Sequence, residues 1–202
     1  TKDNQIILFH DNYITDKMRK RHLINKLNYS EIEQICKQND TPSPNTLDQL
    51  IKIMHIYTGV VFNLEIKSLK INNIKLIKII LEKIPKKILK NQCIISSFNC
   101  WLLFQLNFFS KEHYTALILG SKRKGGTIKT FINKIIIKVL NPHFLHPNFI
   151  HLNKSFIKWA HKNNMQVNAY TINEQKELEE SKNLGVDGVF TDNHFLYNKL
   201  VK

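Results

Sequence analysis

The sequence predicts an α/β fold, a parallel sheet covered by helices. Three observations carry this. Short runs rich in β-branched residues alternate with longer amphipathic segments along the 202 residues. Hydrophobic content of 43% suffices for a buried core. No flexible linker or internal repeat interrupts the alternation, so residues 1–202 read as a single domain. The predicted strands are Gln5–His10, Val60–Lys67, Cys93–Phe98, Thr115–Gly120, Gln166–Asn173 and Val186–Thr191. Asp11–Asp40 reads as polar and irregular, and Thr41–Pro44 as a rigid connector. A helix over Asn45–His55 follows from Leu47, Leu50, Ile51 and Met54 at helical spacing behind a cap at Asn45 or Thr46. Ile74–Leu89 continues the pattern with a break at Pro85, which cannot donate to the helix ladder. Trp101–Phe109, Thr127–Val139, Lys154–Asn163, Glu174–Asn183 and a short Phe195–Val201 complete the helices. The pattern alone fits an open doubly wound sheet or most of an eight-stranded barrel. No G-x-G-x-x-G follows any strand, so a dinucleotide fold lacks its fingerprint.

The net charge is +14, but 27 Lys, 28 Ile and 23 Asn dominate and Arg is confined to Arg19, Arg21 and Arg123. All three abundant residues have A/T-rich codons. Scattered Lys without clustered Arg and interleaved aromatics does not make a nucleic-acid surface, so no nucleic-acid partner is expected. The basic field still favours an anionic substrate. Apolar runs such as Ile135–Ile137 are short and flanked by Lys134 and Lys138, so no transmembrane segment is expected. Cys36, Cys93 and Cys100 are an odd set without metal spacing, which points to a reducing compartment and, with no signal peptide before Thr1, to the cytoplasm.

Polar groups gather where the predicted strands end, the edge at which parallel α/β proteins collect their chemistry. The ends read His10-Asp11, Glu65-Ile66-Lys67, Ser96-Ser97-Phe98-Asn99, Tyr170-Thr171-Ile172-Asn173 and Thr191-Asp192. Glu65 and Lys67 are two apart, on one face of their strand. Singly, such a His is a rim residue and such a pair a salt bridge; together they mark a site.

These segments resemble the ordered motifs of glycerophosphodiester phosphodiesterases. Thr1-Lys2-Asp3 precedes Ile6–Asp11, and then come N-x-E-x-K at Asn63–Lys67, S-S-F-N at Ser96–Asn99, Tyr170–Asn173, and G-V-D-G-x-x-T-D at Gly185–Asp192. The resemblance covers essentially the whole chain. It implies a TIM barrel of the PLC-like phosphodiesterase type, and hydrolysis of a small glycerophosphodiester to glycerol 3-phosphate and an alcohol, within glycerophospholipid metabolism. The family uses two histidines and a divalent metal, Ca²⁺ or Mg²⁺. By the resemblance His10 matches the second catalytic histidine and Glu65 a metal ligand. Lys67 matches a group that neutralises a phosphate oxygen. Phe98 and Tyr170 match rings lining the mouth, although the family usually places Trp at the latter. Asp192 matches a brace for the last loop.

The family's opening His-Arg-Gly, Glu-Asn-Thr and Glu-x-Asp segments have no counterpart here. The resemblance therefore implies an incomplete barrel that begins about two strands late. Gln5–His10 and Val186–Thr191 would be its edges, and metal binding by this set would be impaired. A fragment of an active enzyme, a decayed and inactive product, and a chain completed by a missing N-terminal segment or partner fragment are the three readings. The second is the one preferred. A barrel kept as a binding module without catalysis is the alternative from another class. Three further features read as structural. The basic loop Gly120–Gly126 is taken as solvated, and His143, His146, His151 and His161 as surface residues. Trp101–Phe109 is taken as helix core rather than a lipid anchor.

Overall fold

The computed structural model of the chain describes residues 1–68, 70–120 and 130–196, with residues 130–133 described by their backbone. Two compact units divide the chain, Thr1–Val60 and Val61–Lys202.

In the first unit β1 (Tyr13–Thr15) and β2 (Arg21–Leu23) form an antiparallel hairpin in the register Tyr13↔Leu23. Helix α1 (Tyr29–Gln38) starts at a capping box in which the Glu31 carboxylate accepts from the Asn28 N–H at 2.7 Å. Helix α2 (Leu47–Ile56) starts at a second box, Thr46 with Gln49. Ile14, Ile32 and Cys36 form one buried cluster of the unit. Asp11–Asp40, expected to be irregular, thus holds a hairpin and a helix. Gln5–His10, expected as a strand, enters no sheet. Among the described residues its only pairing is a bridge between Ile7 and Thr46, flanked by Leu8 N–H to Asn45 O at 2.8 Å and Leu47 N–H to Ile6 O at 2.9 Å. The run is apolar enough for a strand, but one bridge to a helix start does not build a ladder.

The second unit runs β3 (Phe62–Glu65), α3 (Ile74–Lys83), α4 (Lys86–Gln92), β4 (Cys93–Ser97), α5 (Cys100–Phe109) and β5 (Tyr114–Leu119). It continues α6 (Thr130–Leu140), β6 (Phe144–Pro147), α7 (Lys154–Lys162), β7 (Gln166–Ala169), α8 (Gln175–Leu184) and β8 (Gly188–Val189). The six strands make one curled parallel sheet in the order β3-β4-β5-β6-β7-β8, flanked by helices, the arc of an incomplete (β/α)8 barrel. Pro85 separates α3 from α4 as expected. The edge strand opposite β8 is β3, the place expected for Gln5–His10. Strand β6 was not predicted, because Pro142 and Pro147 bracket it and read as loop. The loop over 121–126 and the ends of two predicted helices, 127–129 and 197–201, lie outside the described residues.

Register sorts the side chains into two faces. Ser97, Leu117, Leu145 and Val167 follow one another across the sheet and are buried. Two residues past Val167, Ala169 packs with Leu178 of α8, so this is the helix-covered face. The other face carries the row Glu65↔Ser96↔Ala116↔Phe144↔Gln166 and, one step further, Ile118↔His146. That face belongs to the barrel interior and opens at the strand C-terminal ends.

Candidate active site

Glu65 closes β3 and Lys67 follows two residues later, both exposed, while Phe62, Leu64 and Ile66 alternate with them and are half-buried. The Ile66 N–H donates to Ser96 O at 2.8 Å and Ser97 Oγ donates to Ile66 O at 2.7 Å. These bonds continue the β3–β4 ladder past Glu65 and hold the segment carrying Lys67 in register. The N-x-E-x-K spacing thus puts carboxylate and ammonium on the open face, as the period of two requires.

Phe98 leaves the end of β4 with its ring 55% exposed. Tyr170 follows β7, pairs by a bridge with Asn148 and donates its hydroxyl to Leu119 O at 3.1 Å. Both rings meet at Gly120. A Cβ there would stand 2.7 Å from Tyr170 Oη and 3.0 Å from Phe98 Cε1, so only glycine lets the two rings approach this closely. Burial pushes the Tyr170 phenol upward, and the Glu65 carboxylate pushes it further in the same direction. Glu65, Phe98, Gly120 and Tyr170 therefore share one mouth, with a phenol held in its neutral form as a hydrogen-bonding group.

Asn99 fixes the floor of this mouth. Its Oδ1 accepts from Trp101 N–H at 3.1 Å and Leu102 N–H at 3.2 Å, capping α5. Its Nδ2 donates to Ser68 O and Lys70 O, both at 3.0 Å, and so anchors the stretch just after Lys67. On the far side Asp192 accepts from Asn173 Nδ2 at 3.1 Å while its own N–H donates to Asn173 Oδ1 at 2.9 Å, a brace between the last two loops.

Below the rim lies a pair that sequence reasoning missed. His146, taken as a surface residue, is 2% exposed and faces the barrel interior. Its ring packs edge-on to Phe190 with centroids 4.8 Å apart, and its Nε2 lies 3.5 Å from Asn168 Nδ2. Burial lowers its pKa to about 4, which keeps it neutral. Gly188 makes room for Asn168, since a Cβ on it would stand 2.6 Å from Asn168 Oδ1. The signal was the alternation Phe144-Leu145-His146, which the flanking prolines obscured. His161 instead pairs with Asp187, Nε2 to Oδ2 at 2.8 Å.

In the first unit His10 is exposed, with Nδ1 2.9 Å from Asp11 Oδ1. A carboxylate in that position orients an imidazole, the arrangement acid–base work uses. For a metal the donor set does not fit. Among the described residues no three His, Cys, Asp or Glu side chains gather closely enough to hold one. Glu65 alone cannot supply the ~6–8 oxygens that Ca²⁺ takes.

Comparison with known proteins agrees with the fold. The sequence matches the glycerophosphoryl diester phosphodiesterase family over residues 1–194. Glycerophosphodiester phosphodiesterases of Bacillus altitudinis and Caldanaerobacter subterraneus are 20% and 23% identical over 95% of this chain, which spans 79% and 78% of theirs. Among solved structures, a phosphodiesterase from Oleispira antarctica in complex with the product sn-glycerol-3-phosphate superposes with a TM-score of 0.77 at 20% identity. It covers 100% of this chain and 81% of its own. A glycerophosphodiester phosphodiesterase from Parabacteroides distasonis gives 0.75 at 19% identity, over 100% and 79%. These likenesses fix the fold as an incomplete TIM barrel. With the family match running over residues 1–194, through both compact units, the chain belongs to the glycerophosphoryl diester phosphodiesterase family.

Proposed function

We propose that the chain hydrolyses glycerophosphodiesters at the mouth of the barrel arc, giving glycerol 3-phosphate and an alcohol. The observation that carries this is the convergence of Glu65, Phe98 and Tyr170 beside Lys67, at the strand ends where the family's motifs fall. The Lys67 ammonium offsets charge on a phosphate oxygen, and that charge grows as water adds to phosphorus. The Phe98 ring and the neutral Tyr170 phenol wall the glycerol side of the substrate. In the balanced step the water oxygen bonds to phosphorus and the bond from phosphorus to the alcohol oxygen breaks. One water proton is taken up by a base, and the departing alkoxide receives one. His10, supported by Asp11, is the group we assign to proton transfer. The product complex of the Oleispira antarctica protein supports a small glycerophosphate ligand.

Among the described residues no helix is long and apolar enough to cross a membrane. The thiols Cys36, Cys93 and Cys100 form no disulfide, which supports a cytoplasmic setting. The test is release of glycerol 3-phosphate and choline from glycerophosphocholine, with Ca²⁺, with Mg²⁺ and with a chelator. Equal amounts of the two products, lost in Lys67→Ala, are expected. No release under any of the three conditions, together with no binding of glycerol 3-phosphate, would overturn the reading.

A further inference from the structure

Helix α5 is apolar on two opposite faces, with Gln105 and Asn107 as its polar side chains. Its ten residues, Cys100–Phe109, carry no charged side chain. Leu102, Leu103 and Leu106 are fully buried against the sheet. The opposite face consists of Trp101, Phe104 and Phe108, 48%, 44% and 80% exposed, at the i, i+3 and i+7 spacing of one stripe. Trp101 and Phe104 stack in parallel at 5.5 Å, so the stripe is a preformed aromatic ledge. A surface helix ordinarily turns charge toward water, and an exposed aromatic stripe marks an interaction surface.

The surroundings say what it meets. Between Ile66 and Lys111 the chain has eight Lys and a single acidic residue, Glu82. The start of α3 is tied to α5 by Asn73 N–H to Gln105 Oε1 at 3.1 Å and Gln105 Nε2 to Ile71 O at 2.9 Å. These bonds bring exposed Ile71 and Ile74, and with them Lys70 and Lys75, alongside the stripe. Lys78 reaches over the Phe109 ring at 5.7 Å. Aromatic rings backed by lysines whose stems also cover apolar surface are the composition of an element lying in a bilayer interface, with Trp at headgroup depth. The stripe begins one helical turn from Phe98 at the mouth.

We propose that the outer face of α5, with the α3 lysines, docks the protein on the surface of an anionic lipid bilayer. Docking sets the mouth beside the membrane from which glycerophosphodiesters are shed. It requires no catalysis and is read by binding, so its failure and a failure of hydrolysis are separable. The experiment is co-sedimentation of the full chain with phosphatidylcholine vesicles, with and without phosphatidylserine. A parallel measurement follows tryptophan emission in Trp159→Phe, which leaves Trp101 as the sole indole.

Binding to the phosphatidylserine vesicles with a blue shift of Trp101 is expected. Lys70→Glu and Lys75→Glu should each weaken binding by about fivefold or more. Trp101→Ser/Phe104→Ser/Phe108→Ser should abolish it while circular dichroism and release of glycerol 3-phosphate stay unchanged. If that variant does not fold, the Trp101 emission of Trp159→Phe decides alone. Absence of both sedimentation and emission shift overturns the proposal. So does concentration-dependent dimerisation through the stripe that leaves the vesicles unbound, or binding that the stripe variant retains in full.

Discussion

At Lys67 the side chain is exposed and one face of β3 aims it at the mouth, so its removal tests function with little effect on folding. A hydrogen bond to a charged group contributes about 1.5–3 kcal/mol. Lys67→Ala should therefore lower kcat/KM for glycerophosphocholine by about 10- to 100-fold, measured by coupled assay of glycerol 3-phosphate, with the melting temperature unchanged. Gly188 is the opposite case. Adding a methyl meets Asn168 Oδ1 at 2.6 Å, and overpacking of this kind costs about 1–3 kcal/mol. Gly188→Ala should lower the melting temperature by about 2–4 °C per kcal/mol lost. The mouth was legible in the sequence because N-x-E-x-K follows the strand period and S-S-F-N follows a β-branched run. The interior pair His146–Asn168 was not, since its partners are brought together only by the register of two strands, β6 and β7.

Among the elements, β5 and β6 carry a pH dependence. His113 just before β5 is 5% exposed, with neither ring nitrogen hydrogen-bonded. Burial first, and then repulsion from His143 and Lys111, lower its pKa to about 4. His146 in β6 is lowered to about 4 by burial. An unfolded chain protonates both near pH 6.5, whereas the fold refuses those protons until about pH 4. The stability they allow is complete above pH 6.5 and is lost as pH falls through that window, by a few kcal/mol for each ring. The urea midpoint should fall between pH 7 and pH 5, and His113→Phe should flatten the slope.

Helix α5 depends on Asn99, which caps it and ties two carbonyls of the preceding loop. Asn99→Ala should cost about 2 kcal/mol by urea denaturation. Helices were legible from their apolar spacing and caps, and even the missed α1 had its signal in Asn28 and Glu31. Gln5–His10 misled because an apolar run states a preference, whereas a strand also requires a neighbour to pair with.

For the whole chain, the six-strand sheet carries Glu65 and leads into Lys67, Phe98 and Tyr170, and the donor set for a divalent ion is not assembled among the described residues. The 202-residue polypeptide, purified alone, should turn over glycerophosphocholine about 10²–10⁴-fold more slowly than a relative with both catalytic histidines. His10→Ala should remove what remains. Robust metal-dependent turnover at a relative's rate would mean that other side chains replace those ligands. The α/β class and the barrel arc were legible because strand–helix alternation survives in a Lys-, Ile- and Asn-heavy composition. The exposed side of α5 was not, because an apolar run does not say which of its faces will find a partner.

The strand order β3-β4-β5-β6-β7-β8 also governs how the sheet can be assembled. Every strand pairs with its immediate successor, bringing Phe62 to Cys93 and then Ile94 to Tyr114. No strand has to be threaded between two already in place. Each closure spans a single crossover, and short closures are the fast ones. The sheet can thus be laid down in the order of synthesis, one crossover at a time, as the chain leaves the ribosome. Protection of stalled nascent chains from protease should accordingly grow in steps, each step marking the emergence of one more strand.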